Sequence, residues 1–291
     1  HRDLVAHRRA CDPLGVRVLE QMGEPPGGLE VLLVAVRPQP LVAFGAGWGL
    51  STPLIKTAVA EGYRGFGIVM WQQALAASAL VVVMRLRGRG LVWTGAAFRI
   101  YLLIAVTGIL VPSAATLRAV EVLPAGVLSL VLSTVPVFAF AIALAIGAER
   151  PQLRRMAGLL LGLGGVALIA LPGGSLPERA MVAALPIALV TPFSYALESN
   201  LVGRYGEHGL DAVQAIFGAT LIALIAALPL ALWQGSFFWP APTAGQAAVA
   251  TTALINVGVY VGYIWLIARS GAVFAAQVSY LVTGFGVLWA M

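Results

Sequence analysis

Four polar residues lie in an otherwise apolar stretch beyond the middle of the chain. Thr191, Ser194, Tyr195 and Glu198 are spaced i, i+3, i+4 and i+7 within residues 188–203, so on a helix they form one stripe along one face. Within a membrane, a carboxyl group on such a face is expected to point toward the protein interior and to serve function. The pattern predicts that Glu198 binds a cationic group of a substrate or carries a coupling proton.

Glu198 also has a structural interpretation. The apolar segment ends about five residues after it, which at 1.5 Å per residue is roughly 7 Å. A carboxylate at that depth can be solvated from the membrane surface. The two interpretations remain open from the sequence.

Lys56 is a second charge inside an apolar segment. One face of that segment carries small residues and the lysine, with Trp48 beside them: Gly45, Gly49, Thr52 and Lys56. Small residues permit the close approach of another helix. A pair with Glu198 is disfavoured, because the two side chains would lie near opposite membrane faces, more than about 10 Å apart in depth. A lysine that extends to the outer interface is preferred over a charge-binding role.

Aromatic and amide side chains on other apolar segments are weaker candidates for a substrate site. Such groups together line the typical small-molecule cavity, which is largely apolar with a few polar anchors. The candidate binding residues are Trp48, Thr52, Trp71, Gln72, Ser133, Tyr195, Asn256, Tyr260, Tyr263, Gln277 and Tyr280. The alternative for each is an interhelical hydrogen bond or a packing contact.

The composition indicates which elements carry these residues. Hydrophobic residues make up 60% of the 291 and charged residues 10%, against about 45–50% and 25% in soluble domains. The chain is therefore predicted to be an integral membrane protein. A net charge of +6 does not indicate nucleic-acid binding, because the arginines lie in short stretches between apolar runs. The single cysteine, Cys11, excludes an intrachain disulfide and a cysteine-cluster metal site, and no cofactor or metal is expected.

Nine segments are long and apolar enough to cross the roughly 30 Å hydrocarbon core as helices of about 20 residues. These predicted spans 1 to 9 are 41–60, 67–86, 99–120, 123–147, 154–172, 180–203, 212–233, 246–268 and 272–291. With the N-terminus inside, the inner loops contain nine arginines and the outer loops three. This asymmetry predicts a cytoplasmic N-terminus. Of the 18 lysine and arginine residues all but Lys56 are arginine, a bias typical of a GC-rich bacterial genome, so we expect a multi-pass protein of the bacterial inner membrane.

Residues 1–38 differ from the rest. They are rich in arginine, proline and glycine and have no apolar core of signal-peptide length. We expect a disordered tail, or sequence translated from upstream of a start near Met22 or Val31.

An internal repeat is visible at a shift of 146 residues, which aligns Ser133 of span 4 with Ser279 of span 9. A repeat of five helices is odd in number, so the second copy would be inverted in the membrane, as in many secondary transporters. The predicted repeats are 39–174, with helices 1–5, and 175–291, with helices 6–9. Span 5 has no partner in the second copy, so a tenth helix is expected beyond Met291; the alternative is an odd count of nine complete helices.

Several motifs resemble the EamA type of the drug/metabolite transporter superfamily. They are "GWGLSTPLIK" in span 1, "LPAGVLSLVLSTVPVF" followed by "GAERP" at span 4, "GLLLGLGGVALIALPG" in span 5 and "SGAVFAAQVSYLVTGFGVLWAM" in span 9. The resemblance covers about residues 40–291. It implies ten helices in two inverted repeats, cytoplasmic termini and transport by alternating access. The departures are the absent tenth helix and Ala148, where a glycine is usual.

The function predicted from the residues and the resemblance is a secondary transporter, an exporter of small metabolites such as amino acids. Export of drugs and transport of phosphorylated sugars are the alternatives. An enzyme is disfavoured because His1, His7 and His208 all lie outside the spans, and an ATP-driven pump because the chain has no phosphate-binding loop motif. A channel or a structural membrane protein fits the polar stripes less well. The expected partners are a small-molecule substrate, the lipid bilayer and protons, with a homodimer left open and nucleic acid excluded.

Overall fold

The computed structural model describes residues 39–120, 122–123, 125–170, 179–205 and 209–290. The predicted tail, residues 1–38, lies outside the described residues. Twelve α-helices and one π-helix follow in chain order: α1 Gln39–Ala60, α2 Gly65–Leu86, α3 Gly95–Ile104, π-helix Ala105–Leu110, α4 Val111–Val120, α5 Ala125–Leu132, α6 Val135–Ala145, α7 Leu153–Ala170, α8 Arg179–Tyr205, α9 Ala212–Trp233, α10 Ala244–Ser270, α11 Ala272–Ala276 and α12 Val278–Ala290.

The helices correspond to the nine predicted spans, and the all-α membrane fold is confirmed for the described residues. Five helical segments are long and apolar enough to cross a membrane: Gly65–Leu86, Gly95–Val120, Val182–Tyr205, Ala212–Trp233 and Ala244–Ser270. Large apolar side chains such as Leu161, 76% exposed, and Ile225, 72% exposed, cover the outside of the bundle. In a soluble protein such a surface would be unfavourable, whereas in lipid it has no cost.

Spans 4 and 9 are each divided into two helices. Span 4 breaks at Ser133 and Thr134. Pro136, the second residue of the next helix, has no amide hydrogen to donate back into the first helix. Span 9 breaks at Gln277. Ser133 and Ser279 make the same local hydrogen bond, each donating to the carbonyl three residues earlier, at 2.7 and 3.0 Å. Both breaks satisfy backbone groups locally, as a membrane interior requires.

Helices α2 and α9 pack against each other and are joined by polar contacts at both ends. At one end, named the Gln234 end, the Gln234 and Ser236 side chains accept hydrogen bonds from the first amides of α2. At the other, named the Asp211 end, Asp211 caps α9 and binds Arg87 and Arg89, which follow α2. The amide of Gln214 also donates to the Gly90 carbonyl.

Helix α8 lies between several others, with α4 and α6 along it and α10 and α11 beside it. This arrangement surrounds the polar stripe of α8 with protein. Helix α1 meets α12 through glycines: a methyl group at Gly49 would lie 2.8 Å from Phe285 Cβ, closer than side-chain carbons normally approach. The close helix approach predicted from the small residues of span 1 is therefore confirmed.

Candidate functional site

Glu198 is buried, with 1% of its surface exposed, and so is not solvated. Its Oε1 atom accepts a hydrogen bond from the hydroxyl of Tyr260 on α10. The same oxygen lies against Gly108, the fourteenth residue of the 26-residue helical segment Gly95–Val120. The carboxyl group therefore lies level with the middle of a spanning segment, deeper than its position within span 6 indicated.

Aromatic side chains surround this carboxyl group. Tyr195, one turn before Glu198, and Tyr263, one turn after Tyr260, both interact electrostatically with it. The Trp48 ring of α1 packs edge-on against Tyr263 and Tyr260, with ring centroids 5.2 and 6.0 Å apart. These five side chains are named the aromatic–carboxyl cluster. They come from three separate spans, 1, 6 and 8.

A π-helix borders the aromatic–carboxyl cluster on the side of span 3. It interrupts the helix between α3 and α4 at Ala105–Leu110, and its buried glycine, Gly108, faces both Glu198 and Tyr260. π-helical segments inside α-helices are uncommon and frequently occur at functional sites.

The remaining members of the α8 stripe contact a different neighbour. The Thr191 hydroxyl lies 3.0 Å from that of Thr116 on α4 and donates to the Pro112 carbonyl at 3.2 Å. Ser194 is buried between these contacts and Glu198. The polar stripe of α8 therefore has two parts. Thr191 makes hydrogen bonds that pack α8 against α4, whereas Tyr195 and Glu198 belong to the aromatic–carboxyl cluster.

Asn256 lies on α10 one turn before Tyr260, and it also contacts α1. Its Oδ1 atom accepts a hydrogen bond from Ser51 at 3.4 Å. Asn256 thus lies beside the aromatic–carboxyl cluster, on the same helix face as Tyr260. The Thr52 side chain lies outside the described part of the structure.

Other candidate residues lie away from the cluster and make packing contacts. Trp71 donates to the Phe238 carbonyl at the Gln234 end, and Tyr280 donates to the Leu159 carbonyl of α7. Ser133 is buried and satisfied locally within span 4. Gln72 is half-buried on α2. The structure does not bring these four residues together with Glu198.

Two polar candidates are exposed. Gln277 lies at the break between α11 and α12 with its side chain outward, and Lys56 is exposed on α1. The exposure of Lys56 fits a lysine that extends to an interface.

Charged residues cluster at the Asp211 end. Arg87 contacts both carboxylate oxygens of Asp211, at 3.2 and 3.0 Å, and Arg89 binds Oδ2 at 2.8 Å. Partial burial alone would raise the pKa of Asp211, but the Gln214 backbone amide and the two arginines outweigh burial and hold this pKa below its usual value.

A cavity of about 490 Å³ lies at the same end, between α6, α8, α10 and α11. Its polar lining residues are Glu149, Asn200 and Arg204. Asn200 donates to the Ala139 carbonyl, and Arg204 donates to the Ile146 carbonyl at the end of α6. Within the described ranges, no three His, Cys, Asp or Glu side chains are grouped so that they could hold a metal ion.

Sequence reasoning missed Gly108, the Thr116–Thr191 contact and the arginine pairs of Asp211. The signal for Gly108 was weak, a Thr-Gly pair inside an apolar run. The role of Asp211 as a helix cap carried a stronger signal, because it precedes span 7 with a glutamine three residues later, which is typical of a capping box. Its arginine partners had no signal in the sequence, because they follow a different helix.

Comparison with protein families matches residues 41–171 to the EamA-like transporter family. The matched segment contains α1 to α7, with Trp48 and Gly108, and ends before Glu198. A search of curated proteins finds no match. Over these residues the match indicates a membrane transporter domain of the drug/metabolite transporter type, which implies a lipid bilayer and a small-molecule substrate.

Proposed function

Since residues 41–171 form a domain of the EamA-like transporter family, we propose that this multi-pass membrane protein is a secondary transporter. It exports small metabolites such as amino acids by alternating access. The observation that carries the proposal beyond the family is the aromatic–carboxyl cluster. A buried carboxyl group at the middle of a membrane bundle is energetically costly, and such groups mark functional sites.

The chemistry of the cluster favours a substrate with an amino group. Glu198 supplies a negative charge, and the faces of Trp48, Tyr260 and Tyr263 attract cations. The groups that interact with Glu198 among the described residues are phenols, which would not neutralise a phosphate. An amino acid or another amine therefore suits the site better than a phosphorylated sugar.

Glu198 is also the proposed coupling residue. A carboxylate without a compensating charge is costly in an apolar site, so a proton and a substrate ammonium group would compete for it. Such competition would link the movement of the proton to the movement of the substrate. Trp48, Tyr195, Tyr260 and Tyr263 would contact substrate, with Asn256 as a further polar contact.

The proposed architecture is two inverted repeats, 39–174 and 175–291, that move around this site. In support, spans 4 and 9 are both broken near the aligned residues Ser133 and Ser279, and the corresponding spans 2 and 7 pack against each other. The arginines of the Asp211 end support its assignment to the cytoplasm of a bacterial inner membrane. The 490 Å³ cavity would then open to the inside.

Counterflow in liposomes tests this proposal. The full chain is reconstituted, loaded with single unlabelled amino acids and challenged with the matching labelled tracer. The variants are Glu198→Gln and Glu61→Gln, the latter an exposed glutamate at the end of α1. We expect wild type and Glu61→Gln to accumulate at least one tracer.

Glu198→Gln should lose both that exchange and the accumulation driven by an imposed proton gradient, because glutamine keeps the shape of the side chain but has neither the negative charge that binds an ammonium group nor a proton to release. Accumulation by Glu198→Gln under a proton gradient would exclude the coupling role. If no amino acid tracer enters wild-type vesicles, the proposed substrate class is wrong.

A further inference from the structure

The π-helix in span 3 lies inside a continuous helical segment, between Ile104 and Val111. Pro112, the second residue of α4, has no amide hydrogen to donate to the Gly108 carbonyl four residues earlier, which gives this interruption a local cause. A π-helical turn accommodates an additional residue and weakens the regular hydrogen-bond ladder. The π-helix lies beside the hydrogen bond between Glu198 and Tyr260.

Gly108 is where this π-helix comes closest to that hydrogen bond. A methyl group on Gly108 would overlap the Tyr260 hydroxyl and would lie 2.5 Å from Glu198 Oε1. Side-chain carbons do not approach other atoms so closely. Only glycine therefore fits while Glu198 and Tyr260 keep their places.

We infer that Gly108 is a positioning residue, because its lack of a side chain leaves the space beside the π-helix in which the Glu198 carboxyl and the Tyr260 hydroxyl meet. The inference rests on the proposed function, since this geometry affects transport only if Glu198 binds a substrate or a proton. Gly108 acts through the pair and need not touch the substrate.

The other groups around the pair do not duplicate this role. Tyr195 and Tyr263 interact with Glu198 electrostatically, from α8 and α10 respectively, and Trp48 packs on the tyrosine rings. On the side of span 3, Gly108 lies against both members of the pair. The inference consequently predicts a specific coupling between Gly108 and the Tyr260 hydroxyl.

Infrared spectroscopy of the purified full chain measures this coupling without any substrate. The carbonyl stretch of protonated Glu198 is recorded at acidic pH and identified by its loss in Glu198→Gln. Its frequency reports whether the carboxyl group is hydrogen-bonded. The variants are Gly108→Ala, Tyr260→Phe and the double variant, with Gly258→Ala as the control.

Gly258 is the matched control because it lies on α10, two residues before Tyr260, with no atom within 4 Å of a methyl group built there. Its variant should keep the wild-type band. Gly108→Ala should shift the Glu198 band, because the methyl group separates the pair. Tyr260→Phe should shift it too, and the double variant should match Tyr260→Phe alone.

An unchanged band in Gly108→Ala would overturn the inference, as would a full additional shift in the double variant. If Gly108→Ala does not fold but the double variant does, relief of the clash with the hydroxyl supports the inference. If neither folds, Gly108 serves general packing and the inference is wrong. Because no transport is measured, these outcomes are independent of the counterflow result.

Discussion

The carboxyl groups of Glu198 and Asp211 have opposite surroundings. Glu198 is buried against phenols and a tryptophan, and its hydrogen-bond donor is the uncharged Tyr260 hydroxyl. Asp211 is partly exposed and is bound by two arginines and a backbone amide. Two arginines and a backbone amide stabilise the Asp211 anion, whereas the hydrogen bond to Glu198 comes from a neutral phenol, as the proposed exchange of a proton for a substrate at Glu198 requires.

Thr191 provides a prediction about packing at the scale of a single residue. Thr191→Val keeps the shape of the side chain but removes the hydrogen bonds to Thr116 and the Pro112 carbonyl. The free energy of unfolding should fall by about 0.6 kcal/mol and by no more than about 1.7 kcal/mol, the range for such bonds between membrane helices. Titration with a denaturing detergent measures it.

Thr191→Ser is the control for this prediction, because it retains the hydroxyl group and should lie closer to wild type than Thr191→Val. If valine proves more stable than serine, packing of the methyl group rather than hydrogen bonding holds α8 to α4. The comparison therefore separates two contributions that the structure shows together.

At the scale of elements, helices α2 and α9 are linked by polar contacts at each end. Phe66 and Gly67 donate to side chains that follow α9, and Gln214 donates to the Gly90 carbonyl that follows α2. Sliding one helix along the other would break both sets of bonds at once. This pair is therefore suited to act as a fixed part of the bundle.

Asp211 provides the prediction at this scale. Asp211→Ala removes the cap of α9 and both ion pairs, and should lower the free energy of unfolding at pH 7 by about 1–2 kcal/mol. Asp211→Asn keeps a capping oxygen and loses only the charge, which should cost less than about 1 kcal/mol. Tryptophan fluorescence during unfolding in detergent micelles provides the measurement.

The contribution of the Asp211 charge depends on pH with a definite sign. Its pKa is lowered by folding, so the charge stabilises the fold above the unfolded-chain pKa of about 3.9. That stabilisation disappears as the pH falls through the lower pKa of the folded state. The gap between wild type and Asp211→Asn should consequently be constant near neutral pH and close below about pH 4. A gap that persists in acid would contradict the ion-pair account.

At the scale of the whole molecule, the connections alternate between two ends of unequal charge. The loops after α2 and α6 and the end of α8 place Arg87, Arg150 and Arg204 at the Asp211 end. The loop between α9 and α10 contains no charged residue. By the positive-inside rule, the Asp211 end is expected in the cytoplasm.

Cysteine labelling checks this orientation. Cys11 is the only cysteine, so Cys11→Ser leaves a chain without thiols, to which either Gln152→Cys or Ala241→Cys is added. Both positions are exposed in loops, at the Asp211 end and the Gln234 end respectively. A membrane-impermeant maleimide should label Ala241→Cys in intact cells and Gln152→Cys only after permeabilisation. The reverse pattern would show that the N-terminus is outside.

Some features of this protein could be predicted from its sequence because they depend on the chemistry of each segment alone. Twenty apolar residues in succession need a bilayer, arginines between them mark a side, and the proline at position 136 limits the helix before it. The stripe from Thr191 to Glu198 likewise predicted one helical face. These properties follow from each segment alone.

The tertiary structure decided which of the polar candidates meet. Glu198, Tyr260 and Trp48 belong to spans 6, 8 and 1, and only helix packing brings them together, while Tyr280 and Trp71 with similar spacing patterns contact other helices. Helical periodicity defines a face but not the neighbour that this face meets. The importance of Gly108 was least predictable, because a glycine has no side chain to signal a role and its closeness to Glu198 depends on where two helices cross.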